Sequence, residues 1–495
     1  MSKPFTARSY AFTEQGDALN WIGGKFVPAA SGQTLPVENP RHARVMGRVV
    51  LSGPADVEAA VQAARAARKE WAAMPVRERA DIFYRLKSLL QRDIEELAWL
   101  VSHENGKTYA EGRASVEKAI ECVEFGCALG NMGAGEQLDV SRGVNCHVEH
   151  EPLGVVAGVS PFNFPLMVCM WMLPQALVGG NAFLLKPSEV VPFSAGRLAL
   201  LVKEAGVPDG IFNIVNGGAD AVNALCDHPS IKAVGFVGST RVGRMVYARG
   251  GATGKTMLCL GGAKNHLMIV PDADRTLTAS NVVASFTGCA GQRCMAASVL
   301  LAVGNVDAIL DDIVSGASRI RLGEDMGAII SKAALDRITG YIDDAQRRGA
   351  KVVLDGRTAK RPDGGYWIGP TILDHCTRDM PCATEEIFGP VLSILRVKTL
   401  DEALAIENAN PYGNAACIYT TSGAVANYVT SRVEAGMVGV NVGVPVPREP
   451  FGFGGWNHSK FGAGNMTGYD GWRFWTRPRK VTTKWTVQSD TTWMG

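Results

Sequence analysis

The sequence predicts an α/β fold made of two parallel-sheet units with β segments appended. Three observations carry this: apolar runs alternating with helices from residue 152, a second such series from near Leu258, and a length of 495 residues, about three times a ~150-residue domain. Residues 56–100 read as helices, because VEAAVQAARAARKEW and ADIFYRLKSLLQRDIEELAWLV repeat apolar positions at three- and four-residue spacing. They suit the covering layer of a sheet. From Pro152 the runs GVVAGVSP, NAFLLKPS, IFNIVNG and AVGFVGST read as strands separated by helices, which implies a parallel sheet covered on both faces. The second series brings the strands HLMIV, VLLAV and VLSILRV, with helices at residues 277–287 and 306–320 and a boundary near residues 250–264. Residues 129–150 and 480–495 carry the β-favouring runs VNCHVEH and KVTTKW, which a compact α/β core does not need. Such strands pair with something, so they are expected as oligomerisation arms or as edge strands of the same chain.

Composition removes several classes of function. With Lys+Arg 50 against Asp+Glu 48, the formal charge of +2 gives no reason to expect nucleic acid or an anionic membrane as partner. The longest apolar run, residues 166–173, is far short of the ~20 residues that span a bilayer. The N-terminal MSKP has no apolar core to follow it, so a cytoplasmic protein is expected. Eleven cysteines without a C-x-x-C pair, and eight histidines without H-E-x-x-H, argue against a disulfide framework and a zinc site. One reactive cysteine among structural ones is the alternative to eleven inert thiols.

Several segments carry possible chemistry. In CAGQRCMAAS, Cys294 stands among small residues where main-chain amides can approach a substrate, so its thiolate could attack a carbonyl; a buried structural thiol is the plainer reading. Asn163 in SPFNFP ends a predicted strand at the sheet edge where open α/β folds bind ligands. Its amide could donate to an oxyanion, or only close an Asx turn. Lys186 and Glu189, in LLKPSE, share that edge and suit ribose hydroxyls, or a solvated helix start. In GFVGSTRVG, Gly238 and Ser239 lie between strand and helix, where amides can meet phosphate or simply cap the helix. TEEIFGPV, with Glu386 and Phe388, reads by itself as a loop.

Taken in order over nearly the whole chain, these segments resemble the aldehyde dehydrogenase superfamily. The resemblance is greatest to its CoA-acylating methylmalonate-semialdehyde dehydrogenases, through ENGKT (104–108), SPFNFP (160–165), KPSE (186–189), FVGST (236–240), GAKNH (262–266), GQRCMA (291–296), EEIFGPV (385–391) and VGVNVGVPVP (438–447). It implies a Rossmann-type NAD-binding domain over 1–128 and 151–258, a catalytic α/β domain over 259–465, and an oligomerisation arm over 129–150 and 475–495. It implies, too, a homodimer or homotetramer acting on a small aldehyde. By the same resemblance Cys294 attacks the aldehyde, and Asn163 with the Cys294 amide holds the oxyanion while NAD is reduced. Phe162, Lys186, Glu189, Gly238, Ser239, Glu386 and Phe388 would bind the cofactor. Glu189 beside a 2′-hydroxyl would repel a 2′-phosphate, so NAD is expected over NADP.

Two departures sharpen the reading. Hydrolytic members place a glutamate before G-G-K to activate water, whereas the matching position here is Cys259 or Leu260, and no Asp or Glu occurs between Asp227 and Asp272. Coenzyme A is therefore the expected acyl acceptor, and a free acid the alternative product. Arg293, beside the nucleophile, could bind a substrate anion bidentately, with Lys118 and Arg448 as further cations. Malonate or methylmalonate semialdehyde is the expected substrate, giving acetyl- or propionyl-CoA with loss of CO2, and a sulfonated or phosphonated short aldehyde the alternative. A non-enzymatic structural paralogue is the rival of another class, disfavoured by the retained Cys294, Asn163, Lys186 and Glu386.

Overall fold

The computed structural model describes residues 9–132 and 135–485. Five parallel strands form the heart of the first sheet, in the spatial order Phe212–Ile214, Ala182–Lys186, Val155–Val159, Ile231–Val237, Thr256–Leu260. All residues of Val155–Val159 and Ala182–Lys186 are buried, as strands covered on both faces must be. The chain winds one way from residue 155 to 214 and the other way from 231 to 260. Strand order thus reverses between Val155–Val159 and Ile231–Val237, and the carboxyl ends of those two strands open into a crevice.

Helices pack the faces for reasons visible in their residues. Pro54–Ala73 starts with proline in its first turn and closes its N-terminus by Asp56 accepting from the Gly53 amide at 3.0 Å. It buries Val57, Ala60, Val61, Ala64 and Trp71 along one stripe. The apolar run at 166–173 becomes Met167–Val178, buried all round, and the helix continues through Pro174. Tyr109–Met132 crosses it closely because Gly126 has no side chain: a Cβ there would meet Pro174 Cβ at 2.7 Å.

The second sheet has the order Lys351–Leu354, Thr371–Asp374, Val391–Val397, Ala297–Val303, Asn265–Ile269, Ala415–Tyr419, Met437–Val440. All its neighbours are parallel except the first pair. Residues 460–461, within the span expected for the second unit, pair instead with the edge of the first sheet, Leu260 opposite Lys460. The two appended β segments pair with each other. Thr476–Lys484 runs antiparallel to Val144–Pro152 from Thr476–Pro152 to Lys484–Val144, and Gln137–Ser141 adds a third strand. Residues 133–134 and 486–495 of the expected arm lie outside the described residues. No helix among the described residues is long and apolar enough to cross a membrane.

Asn181 joins the arm to the core. Fully buried, it accepts from the Gly154 amide at 2.9 Å and donates to the carbonyls of Ala176 and Trp475, each at 2.9 Å. Trp475 is the last helical residue before the arm strand. Truncating Asn181 to alanine strands these buried partners and should destabilise the protein by ~2–4 kcal/mol. A fall of several degrees in Tm, followed by circular dichroism, is expected; an unchanged Tm would show that the amide is not a tie.

Candidate active site

The loop after Val155–Val159 is held from outside. Asn105 Nδ2 donates to the Phe162 carbonyl at 2.8 Å, and the buried Lys107 ammonium sits 3.6 Å from the centre of the Phe164 ring. Asn163 is thereby buried and donates Nδ2–H to the carbonyl of Gln292 at 3.0 Å. That bond joins the crevice of the first unit to the cysteine loop of the second.

The cysteine loop leaves the helix Arg275–Thr287 and turns through Cys289 and Ala290, both with left-handed backbone (φ 52° and 53°), a conformation that side chains disfavour. Neighbouring side chains hold it there. The Cys289 amide donates to Glu111 at 2.5 Å. Gln292 donates to the carbonyls of Cys289 and Ala328 and accepts from the Ile330 amide. Asn265 donates to the carbonyls of Cys294 and Ala296 at 2.7 and 2.9 Å, and Asn414 to that of Cys294 at 2.9 Å. With its carbonyl tied on both sides, Cys294 lines a cavity of about 1040 Å³ together with Asn163.

Phe162, Gly238, Ser239, Glu386 and Phe388 line the same cavity. Ser239 caps the helix Thr240–Ala252, its Oγ accepting from the Val242 amide, so that helix starts at the cavity wall. The rings of Phe162 and Phe388 meet edge to face at 5.8 Å. Glu386 accepts from the Ala263 amide at 3.0 Å, and a Cβ at Gly262 would lie 2.3 Å from its carboxylate, so the close approach needs glycine. Arg337 steadies this segment by donating to the carbonyls of Glu386 and Ile387. Lys186 and Glu189 pair at 2.7 Å; the intervening Ser188, rather than either of them, reaches the lining.

Electrostatically the site is set against a free thiolate. Burial, and next the charge of Glu386, push the Cys294 thiol up to about 12, opposed by the amides of Cys294 and Met295 and by Arg293. Burial also raises Glu386, against the Ala263 amide and Lys264. Glu386 is the only carboxylate among the described lining residues. Cys259 and Leu260 are buried in the strand Thr256–Leu260, which is paired on both sides, and burial raises the Cys259 thiol well above its usual range.

All three expected anion-binding cations reach the cavity wall, but not as free charges. Arg293 Nη2 donates to the carbonyls of Ala284 and Ser285, both at 2.7 Å, at the end of the preceding helix, while its Nε has no hydrogen-bond partner among the described residues. Lys118 is ion-paired to Glu121 at 3.0 Å and Glu449 at 2.9 Å. The Arg448 side chain is 81% exposed and 3.8 Å from Glu121. A pocket of three unpaired cations is therefore not what the fold builds. Sequence reasoning also passed over Asn265, Asn414, Gln292 and Glu111. GAKNH and GQRC contain two of them, but nothing local marks Asn414, 120 residues from the carbonyl it binds.

The sequence profile described as "Aldehyde dehydrogenase family" matches residues 26–481. Malonate-semialdehyde dehydrogenase 2 of Geobacillus kaustophilus is 45% identical over 475 residues, 94% of this chain and 98% of that protein. A crystal structure from Sinorhizobium meliloti 1021, described as a methylmalonate-semialdehyde dehydrogenase complexed with NAD, superposes with a TM-score of 0.94 at 41% identity, covering 96% of this chain and 99% of the other. The methylmalonate-semialdehyde dehydrogenase of Oceanimonas doudoroffii gives 0.94 at 38% identity, with the same coverage. With a tethered cysteine facing a buried asparagine across one large cavity, and relatives matched along nearly their full lengths, this chain is an oxidoreductase belonging to the aldehyde dehydrogenase family.

Proposed function

We propose that the protein oxidises a short acidic semialdehyde of the malonate or methylmalonate type to an acyl-CoA, with NAD as electron acceptor, through a thioester on Cys294. The observation that carries this reading is a cavity joining Cys294, Asn163 and a helix N-terminus with Glu386 as the only carboxylate among the described lining residues, while Cys259 and Leu260 offer no carboxylate to activate water. The related malonate-semialdehyde dehydrogenases support the substrate class, and the NAD-complexed neighbour supports the cofactor.

The residues present fit NAD. Gly238 and Ser239 bring a helix start to the wall for the pyrophosphate, the Lys186–Glu189 pair stands at the strand end for a ribose, and Glu386 and Phe388 line the side of the cavity shared with Cys294. When bound, NAD supplies the two-electron acceptor for the aldehyde carbon. The protein's own part begins with the Cys294 thiolate adding to the carbonyl. One Asn163 N–H is committed to Gln292, so the other is left, with the Cys294 amide, to hold the oxyanion. Oxidation of that adduct leaves a thioester. The CoA thiolate then attacks the thioester carbon, releasing acyl-CoA and restoring the Cys294 thiolate; in a malonic acyl group the bond to the carboxylate carbon breaks as CO2 leaves, and the enolate left behind takes a proton from water. Arg293, beside the nucleophile and on the cavity wall, suits the substrate acid group. We also propose the three-stranded sheet as the contact between copies in a dimer or tetramer, since Leu138 and Val140 on its edge strand are exposed.

Three measurements check this reading. General-base assistance is worth ~10²–10⁴-fold, so without it NADH formation should need CoA and give a burst of about one equivalent per site in its absence. Sustained turnover without CoA would favour hydrolysis instead. Because the resting thiol is protonated far above neutrality, its alkylation by iodoacetamide should rise roughly tenfold per pH unit from neutral into alkaline buffer. Glu386→Gln removes a charge that raises the thiol pKa, so at any one pH it should speed alkylation; a slower reaction would reverse the assigned sign. Arg293→Leu should lower kcat/KM for malonate semialdehyde by about tenfold, the weak end of a charge-assisted hydrogen bond, and spare propanal. Equal losses with both aldehydes would make Arg293 a support of the helix end alone.

A further inference from the structure

Glu104 is a fully buried acid that the chemistry above does not use. Its carboxylate accepts from the Phe193 amide at 2.7 Å and from the Ser194 amide at 3.3 and 3.4 Å. Those amides open the helix Phe193–Glu204, whose own N-cap residue, Pro192, offers no side-chain acceptor. The cap therefore comes from 89 positions earlier in the chain. A carboxylate suits the place, because a helix start favours negative charge and bonds to an ionised acceptor are strong. Burial pushes the Glu104 pKa up to about 7, against the pull of the Ser194 and Phe193 donors.

The capped helix end lies just past the loop that carries Ser188 and Glu189. That loop leaves Lys186, the last residue of a buried strand, whose carbonyl accepts from the Ser160 amide at 3.1 Å. Within it the Val191 amide donates to the Ser188 carbonyl at 3.1 Å. Its far end is fixed where Phe193 and Ser194 meet Glu104. The next residues of the Glu104 segment, Asn105 and Lys107, hold the Phe162 carbonyl and the Phe164 ring. One short segment thus ties the loop 187–192 to the loop that carries Asn163. Resting on the reading that Lys186 and Glu189 meet the cofactor ribose, we propose that Glu104 is a positioning residue for NAD. It is not among the residues that line the cavity, and it acts through the two amides on the loop that brings Ser188 to the cavity wall. Without its carboxylate those buried amides lack an acceptor and the far end of the loop loosens, so NAD must order the loop before it gains contacts there. A cap that served stability alone would leave cofactor affinity untouched.

The test is isothermal titration of the full chain with NAD, wild type against Glu104→Gln, at a pH of about 8.5 so that the wild-type carboxyl is ionised. Glutamine keeps the length but puts an N–H donor where one oxygen accepted. The Kd for NAD should rise about five- to tenfold, as for the loss of one charge-assisted bond, while the NADH burst rate at saturating NAD and the alkylation of Cys294 change by less than about twofold. Hydrogen exchange should quicken over residues 187–196 and stay the same over 288–296. An unchanged Kd overturns the proposal whatever happens to Tm. An equal effect on burst rate or alkylation overturns it too, because the carboxylate would then support the whole site rather than the cofactor loop. Should Glu104→Gln fail to fold, Glu104→Asp, which keeps the charge but draws it back by one methylene, should also raise Kd, and an unchanged Kd there counts against the proposal equally. If NAD does not slow exchange over 187–196 in the wild type, the placement of the ribose at Lys186 and Glu189 fails instead, a result distinct from these.

Discussion

The loop from residue 288 to 296 must leave a helix end, reverse through two left-handed residues and present a thiol to a cavity, all without a main-chain ladder to satisfy its carbonyls. The rest of the site follows from meeting that requirement. Amide side chains take the place of a partner strand: Asn163 on Gln292, Asn265 and Asn414 on Cys294, and Gln292 across the loop itself. Asn163 stands at the crevice of the first sheet, and Asn265 and Asn414 at strand starts in the second. Cys294 is consequently located from both units at once, through the Asn163 bond that spans them.

Positioning has an electrostatic consequence. The burial that fixes Cys294 also disfavours its thiolate, and Glu386 adds to the effect. Burial and Glu386 thus both favour the protonated thiol over the thiolate on which alkylation and oxidation depend.

Much of this was legible in the residues. Short apolar runs between turns and helices marked the parallel strands, and the order of SPFNFP, KPSE, FVGST, GQRCMA and EEIFGPV identified the family to which the chain belongs. The stretch between Asp227 and Asp272 also holds no Asp or Glu, so no carboxylate base can come from it. Charge pairing was not. Lys118 reads as a free cation until the fold brings Glu449 within 2.9 Å, across 331 positions of sequence. Arg293 reads as a substrate fork until its Nη2 is found spent on a helix end.

The sequence by itself determined which groups are available: a cysteine among small residues, an asparagine at a strand end, a Gly-Ser turn opening a helix, and a stretch without Asp or Glu between Asp227 and Asp272. These are local properties, written in composition and short-range spacing. Tertiary structure alone decided which charges remain unpaired and which carbonyls need a donor. Those depend on side chains meeting from distant parts of the chain, and Coulomb and hydrogen-bond energies act over a few ångströms whatever the separation in sequence.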